Sequence, residues 1–151
     1  MEISDLYGSK FLFIDRPCKC VHCCCPPCCQ SMTVECPRGQ AIGYISQQCA
    51  LCRPKFEVQS SSGEQVFLIQ GPCFILPKCC KTDFKITSPD GGAKVGKISK
   101  QWSGLAKEIF TDTDNFGVEF PIDISPEIKA TILAAVFLID FMYFEDAPAD
   151  G

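Results

Sequence analysis

The sequence predicts a mainly-β protein, an antiparallel sandwich or barrel, with one hydrophobic helix near its C-terminus. Three observations predict this class: short apolar runs recur from residue 10 to residue 122, turn-forming residues separate them, and a long apolar segment follows a good helix start. Regularly spaced strands and turns are typical of all-β domains. At 151 residues and 46% hydrophobic content, the chain suits a single domain with a substantial core.

Strands are predicted where apolar residues alternate with polar ones. In the run 83–87, Phe84 and Ile86 flank Lys85, which is the alternation of a strand with one buried face. Turn residues at 37–39 and 89–92 separate such runs. The predicted strands are 10–15, 31–36, 41–46, 55–59, 65–70, 73–76, 83–87 and 116–120. Residues 102–110 fit either a short helix or another strand.

A hydrophobic helix is predicted over 126–145. Ser125 suits the N-cap, and Pro126 suits the first helical position. The apolar part, 130–144, reaches roughly 22 Å at about 1.5 Å per residue, short of the roughly 30 Å hydrocarbon core of a bilayer. Asp140 adds a cost of about 2.5–3.5 kcal/mol at the centre of a spanning helix. We therefore predict a helix buried inside the β-barrel, with a buried partner or a proton on Asp140.

The net charge of −4 argues against a nucleic-acid platform and against attachment to anionic lipid by charge alone. The sequence contains neither a GxxxxGK phosphate loop nor a GxGxxG turn. His22 is the sole histidine, so a base beside a nucleophilic cysteine or serine has one candidate. Ordinary enzyme chemistry therefore has little support.

Residues 23–29 read CCCPPCC, and this segment restricts function most sharply. Disulfides, a metal and thioester-linked fatty acid are the competing chemistries. The first residues lack the pattern of a signal peptide, which favours a reducing compartment where disulfides are uncommon. The total of 13 cysteines is also odd.

Zinc and S-acylation remain as chemistries for the thiols. Pieces of a zinc ligand set occur at Cys18, Cys20, His22, Cys23, Cys49, Cys52, Cys79 and Cys80. The usual pair of CxxC knuckles is missing from them. S-acylation fits best because prolines hold the segment extended, and each buried methylene adds about 0.8 kcal/mol to membrane attachment.

The acidic segment 112–123 reads DTDNFGVEFPID and carries half of a calcium-loop pattern. Asp112, Asp114 and Asp123 fall at positions one, three and twelve, with Gly117 at six. Apolar residues replace two expected ligands, which predicts a weak site with a dissociation constant of about 10⁻⁴–10⁻³ M. The alternative is a turn that leads into a strand at 116–120 with its acids facing water. The residues alone do not decide between them.

Residues 96–105 read GKISKQWSGL and place Lys97, Lys100 and Trp102 together. Two lysines are far fewer than a basic nuclear address contains. We therefore interpret this segment as a solvated strand with one aromatic anchor.

The order of these motifs resembles the phospholipid scramblase family from Phe11 to Glu145. The motifs are ProCysLysCys, CCCPPCC, GlyTyrIle, GlyProCys, GlyLysIleSerLys, Trp, DTDNFGVEFPID and FLIDFMYFE. The resemblance implies a tubby-like fold, in which a β-barrel wraps a hydrophobic helix, and a single scramblase-like domain over 1–151. Family members begin with a proline-rich tail and several strands that would precede Ile3, so we expect an incomplete barrel.

The resemblance also implies a function and its residues. The function is calcium-dependent, ATP-independent, bidirectional movement of phospholipids between membrane leaflets, without covalent catalysis. The implied palmitoylation sites are Cys23, Cys24, Cys25, Cys28 and Cys29; the implied calcium segment comprises Asp112, Asp114, Phe116, Val118, Phe120 and Asp123; the implied nuclear-import contacts are Lys97 and Lys100.

The implied location is the cytoplasmic face of the plasma membrane, with entry into the nucleus when the cysteines are not acylated. The implied partners are membrane phospholipids, an import receptor and a second copy of the chain. Two other functions stay open: a palmitoyl-tethered adapter and a zinc-binding structural module.

Overall fold

A computed structural model describes residues 1–4, 10–17, 29–50, 52–73, 75, 81–101 and 115–144. These residues form nine strands followed by one helix. The strands are β1 (Glu2–Ser4), β2 (Lys10–Asp15), β3 (Ser31–Glu35), β4 (Ala41–Gln48), β5 (Lys55–Ser60), β6 (Gln65–Gln70), β7 (Thr82–Thr87), β8 (Lys94–Gln101) and β9 (Asn115–Glu119), and the helix is α1 (Pro126–Tyr143).

All nine strands belong to one antiparallel sheet whose spatial order is the order of the chain. Each strand pairs with its neighbour in sequence, as in the register that sets Phe84 opposite Ile98 between β7 and β8. Among the described residues, β1 and β9 are the two edges of an open sheet. The prediction of a mainly-β antiparallel fold with one C-terminal helix is confirmed, and the open sheet agrees with an incomplete barrel.

Two strand predictions differ from the structure. The run 73–76 contributes no strand residue to the described part, since Cys73 lies in a bend and Ile75 outside any strand. The interpretation of 96–105 as a solvated strand is confirmed as a strand over 96–101, but its exposure to solvent is wrong there. This segment belongs to β8, which lies between β7 and β9, and its Ile98, Ser99 and Lys100 are all buried.

Because consecutive strands pair in a meander, their connections alternate between the two ends of the sheet. Tight hairpins lie at one end, which we call the hairpin end; they join β3 to β4, β5 to β6, and β7 to β8. The connections from β2 to β3, from β4 to β5 and from β6 to β7 lie at the other. We call this second end the cysteine end, since its described residues include Cys29, Cys49, Cys52 and Cys73.

The helix α1 packs against one face of the sheet and contacts β3, β4 and β5. Its side chains at Ile132, Ala135 and Leu138 are fully buried in the same core as Phe56 and Phe84. Gly43 on β4 permits this approach, because a Cβ atom there would overlap the side chain of Thr131. The prediction of a buried helix is therefore confirmed for the side that packs on the sheet, and the described strands form an open sheet rather than a closed barrel around it.

The ends of α1 agree with the sequence. The Ser125 hydroxyl accepts a hydrogen bond from the backbone N–H of Ile128 at 3.4 Å, as an N-cap does, and Pro126 is the first helical residue. The helix ends at Tyr143, whose ring packs edge-on against Phe56 with 6.4 Å between the ring centroids.

One stripe of α1 faces away from the sheet. Leu133, Phe137 and Phe141 lie four residues apart along it and are 36–38% exposed. In the part of the chain that the structure describes, no helix combines the length and apolarity needed to cross a bilayer.

Candidate functional site

The cysteine-rich segment leaves the sheet after β2 and returns to it before β3. Cys29 is described; it is half-buried and lies two positions before Ser31, the first residue of β3. The other predicted palmitoylation sites, Cys23, Cys24, Cys25 and Cys28, lie outside the described residues. Palmitoylation therefore stays a prediction, and the fold places both ends of this segment at the cysteine end.

Two of the predicted zinc ligands are described. Cys49 and Cys52 lie in the connection between β4 and β5, and both are exposed. Cys18, Cys20, His22, Cys23, Cys79 and Cys80 lie outside the described residues. Within the described ranges, no group of three or more histidine, cysteine, aspartate or glutamate residues converges on a point where a metal could bind.

The acidic segment contributes a strand to the edge of the sheet. Asn115–Glu119 form β9, which pairs with β8 through the opposed residues Phe116 and Lys100 and Val118 and Ile98. Of the two interpretations of this segment, the strand is the one seen over these residues. Asp112 and Asp114 lie outside the described residues, so a calcium ion at this segment stays a prediction.

The geometry of β9 bears on the proposed calcium ligands. A strand advances about 3.3 Å per residue, which separates the backbone oxygens of Phe116 and Val118 by roughly 6.6 Å. Two ligands of one calcium ion lie at most about 5 Å apart, because each sits 2.3–2.6 Å from the ion. Phe120 follows the strand and Asp123 has a positive φ of 56°, so these two residues lie in the turn before α1. The backbone oxygens of Phe116 and Val118 therefore cannot both bind the same calcium ion.

The two lysines proposed as nuclear-import contacts have different surroundings. Lys97 Nζ lies 3.0 Å from Glu119 Oε1 across the β8–β9 pair, and its side chain is 25% exposed. The hydrogen bond and negative charge of Glu119 raise the pKa of Lys97. Lys100 is 1% exposed and points into the core. In this conformation a receptor reaches the ammonium group of Lys97 but not that of Lys100.

Lys100 is the buried partner that Asp140 requires. Lys100 Nζ lies 3.7 Å from Asp140 Oδ1 on α1. The same ammonium group lies 4.1 Å from the centroid of the Phe144 ring and 5.3 Å from that of Phe116. Ring faces attract cations, and the effect grows where water is excluded. These contacts join β8, β9 and the C-terminal end of α1.

Sequence reasoning predicted a partner for Asp140 but did not identify it. A signal was available in β8, because Lys100 lies two residues after the apolar Ile98 and a strand places alternate side chains on the same face. The presence of lysines on both faces of the segment concealed that alternation. Cys73 was likewise missed as a possible thiol site, since it was assigned to a strand.

Comparison with known proteins adds evidence of ancestry. The family model described as Scramblase matches residues 1–146. Phospholipid scramblase 2 of Bos taurus is 46% identical over 145 residues, which cover 96% of this chain and 50% of the relative. Phospholipid scramblase 1 of Homo sapiens is 45% identical over 145 residues, covering 96% of this chain and 46% of the relative.

A more distant relative, phospholipid scramblase family member 5 of Homo sapiens, is 36% identical over 149 residues, covering 99% of this chain and 55% of the relative. The chain thus spans about half the length of the curated relatives it matches. No solved structure matches it.

Proposed function

The chain belongs to the scramblase family, and we propose that it promotes movement of phospholipids between the two leaflets of a membrane. The observation that carries this proposal is the family match over residues 1–146, together with relatives named phospholipid scramblases at up to 46% identity. In the proposed activity, phospholipids cross in either direction between the leaflets, each lipid moving down its own concentration gradient, without ATP and without covalent catalysis.

The proposed attachment to the membrane is through thioester-linked palmitate on Cys23, Cys24, Cys25, Cys28 and Cys29. The net charge of −4 supports an anchor of this kind, because lysine and arginine clusters cannot supply the attraction to anionic lipid. Two or more acyl chains make attachment durable, whereas one chain gives reversible binding. The proposed location is the cytoplasmic face of the plasma membrane, and the nucleus when the thiols are not acylated.

The proposed regulator is calcium, bound weakly through carboxylates of the segment 112–123. Supporting this proposal is the spacing of Asp112, Asp114 and Asp123 in the sequence. We place the dissociation constant at about 10⁻⁴–10⁻³ M.

The test is a lipid-movement assay in liposomes. Fluorescent lipid in the inner leaflet is protected from a quencher added outside until the lipid crosses, and the chain is reconstituted with and without millimolar calcium. We expect calcium to increase the rate of quenching, and we expect Asp112→Ala to reduce that increase.

Asp83→Asn is the matched control, since it removes an exposed carboxylate on β7 whose ion pair with Lys81, at 3.8 Å, lies outside the calcium segment. The control should respond to calcium like the unaltered chain. A chain that does not accelerate quenching at any calcium concentration contradicts the proposed function, and one that accelerates it equally without calcium contradicts only the proposed regulation.

A further inference from the structure

The cysteine end exposes thiols that none of the palmitoylation predictions includes. Cys49, Cys52 and Cys73 are all exposed. Cysteine is among the residue types most often buried in folded proteins, where it behaves as a small apolar side chain. Three exposed cysteines at one end of a sheet therefore call for an explanation other than packing.

The fold brings these three residues to neighbouring connections. Cys49 and Cys52 lie between β4 and β5, and Cys73 lies just after β6. The two connections are joined directly, because the backbone N–H of Gly71 donates a hydrogen bond to the carbonyl oxygen of Pro54 at 2.8 Å. Gly71 is required for this contact, since a Cβ atom there would overlap Pro54 and Phe84. Cys52 and Cys73 are each two residues from one partner of this hydrogen bond.

Among the described residues, no group of three or more metal-ligating side chains converges on one point, and Cys49, Cys52 and Cys73 are all described. A structural zinc site requires four ligands around one ion. The three thiols are exposed, which is what an acylating enzyme requires of its substrate.

Positive charges accompany the thiols. Arg53 follows Cys52 directly and is exposed, and Lys81 precedes β7 with a side chain that is 53% exposed. Charge does not distinguish the two ends, because Lys81 is paired with Asp83 at 3.8 Å and the hairpin end exposes the cations Arg38, Lys94 and Lys129 beside the acids Glu64, Asp90 and Glu127. The choice of a membrane-facing end therefore rests on the exposed thiols.

We infer that Cys49, Cys52 and Cys73 are further S-acylation sites, and that the cysteine end is the membrane-facing surface of the molecule. The inference rests on the proposed acyl anchor, which it extends from one segment to three neighbouring connections. The acyl group comes from a long-chain acyl-coenzyme A. The cysteine Sγ forms a new bond to the acyl carbon, the bond from that carbon to the coenzyme A sulfur breaks, and the thiol proton passes to coenzyme A. No oxidant or reductant takes part.

The test is a map of thioester-linked cysteines on the full chain expressed in cells. Free thiols are blocked, thioesters are cleaved with neutral hydroxylamine, and the newly released thiols are tagged with a maleimide reagent and located by mass spectrometry. A sample without hydroxylamine gives the background. Cys36 is the internal control, because it is a half-buried thiol at the hairpin end.

We expect hydroxylamine-dependent tags on Cys49, Cys52 and Cys73 and none on Cys36. The triple variant Cys49→Ser, Cys52→Ser, Cys73→Ser should carry up to three fewer tags per chain, whereas Cys36→Ser should carry the same number as the unaltered chain. All three altered positions of the triple variant are exposed, so its unfolding midpoint by circular dichroism should match that of the unaltered chain.

The outcomes separate this inference from the proposed function. Tags confined to residues 23–29 overturn the inference and leave the proposed anchor standing. Tags on Cys36 at the level of Cys52 overturn the assignment of a membrane-facing end. An absence of tags throughout the chain overturns both the inference and the anchor, and zinc that copurifies with Cys49 and Cys52 overturns the inference in favour of a metal site.

Discussion

At the scale of single residues, the ion pair of Lys100 and Asp140 links β8 to α1. It places a cation and an anion 3.7 Å apart between β8 and α1, with the Lys100 side chain 2% and the Asp140 side chain 26% exposed. The aromatic rings of Phe116 and Phe144 cover the same ammonium group. Loss of one charge leaves the other poorly solvated, which costs more than the attraction between them.

Lys100→Met should destabilise the protein markedly. We expect a loss of about 2–4 kcal/mol in the free energy of unfolding, near the lower end of the range for broken buried pairs because Asp140 keeps some access to solvent. Chemical denaturation followed by circular dichroism measures it. The double variant Lys100→Met, Asp140→Leu should recover most of the loss.

Lys97→Met is the matched control on the same strand. Its partner Glu119 is 64% exposed, and pairs of this kind contribute about 0–1 kcal/mol. Equal losses for the two lysine variants would show that burial of Lys100 has no energetic consequence, contrary to the structure.

Tyr143 provides a pH-dependent test of core packing. Burial raises the pKa of Tyr143 to about 12, from an ordinary value of about 10 in the unfolded chain. The folded state therefore holds this proton more tightly, and the group's contribution to stability is fully present below pH 10 and is lost as the pH rises through about 12.

A titration of tyrosinate absorbance should show one late-titrating group that Tyr143→Phe removes and Tyr44→Phe leaves in place. Across pH 10–12, the unaltered chain should also lose more stability than Tyr143→Phe does. A late-titrating group that survives in Tyr143→Phe would show that another tyrosine is the buried one.

At the scale of elements, the sequence predicted strands well where the side chains of one face are buried and less well where side chains on both faces are buried. The alternation in β7 is plain, with Phe84 and Ile86 buried and Asp83 and Lys85 exposed. In β8 the adjacent residues Ile98 and Ser99 point to opposite faces of the sheet and are both buried. The alternation of buried and exposed residues is therefore lost. The predicted strand 73–76 shows the opposite error in its two described residues, since neither Cys73 nor Ile75 belongs to a strand.

The helix α1 was predictable because its start and its composition agree. Ser125, Pro126 and the apolar run after them all indicate one element. The apolar run is too short to cross a bilayer easily, which led us to predict a buried helix, and the structure packs the helix against the sheet. The sequence could not show that Thr131 of α1 packs against Gly43 of β4, because this contact depends on the absence of a side chain at Gly43.

Gly43→Ala should displace α1 from the sheet. The added methyl group overlaps the side chain of Thr131, which is fixed by its hydrogen bond to the Glu127 carbonyl oxygen at 2.8 Å. We expect a loss of about 1–3 kcal/mol in the free energy of unfolding, as for overpacked cores. Denaturation experiments measure the loss.

Thr131→Ala tests the cause. It removes the overlapping atoms, so the double variant Gly43→Ala, Thr131→Ala should lose less stability than the sum of the two single variants. If the stability losses of the two single variants simply add, Gly43→Ala destabilises the strand itself rather than its contact with the helix.

At the scale of the whole molecule, the meander divides the protein into two ends with different chemistry. Cys36 lies at the hairpin end, whereas Cys29, Cys49, Cys52 and Cys73 lie at the other. The sequence showed the clustered cysteines 23–29 but could not show that separate connections share an end, because that depends on how the strands pair. We expect an acyl anchor at this end to orient α1 with its C-terminus toward the lipid surface.

The most direct test of this account is the release of the protein from membranes by hydroxylamine. Chain expressed in cells is isolated on membranes, treated with neutral hydroxylamine or with buffer, and separated by flotation. If thioester-linked acyl chains hold the protein, hydroxylamine should move most of it to the soluble fraction while the buffer control stays bound. Protein that still floats with the membranes after complete loss of its acyl groups would contradict the account.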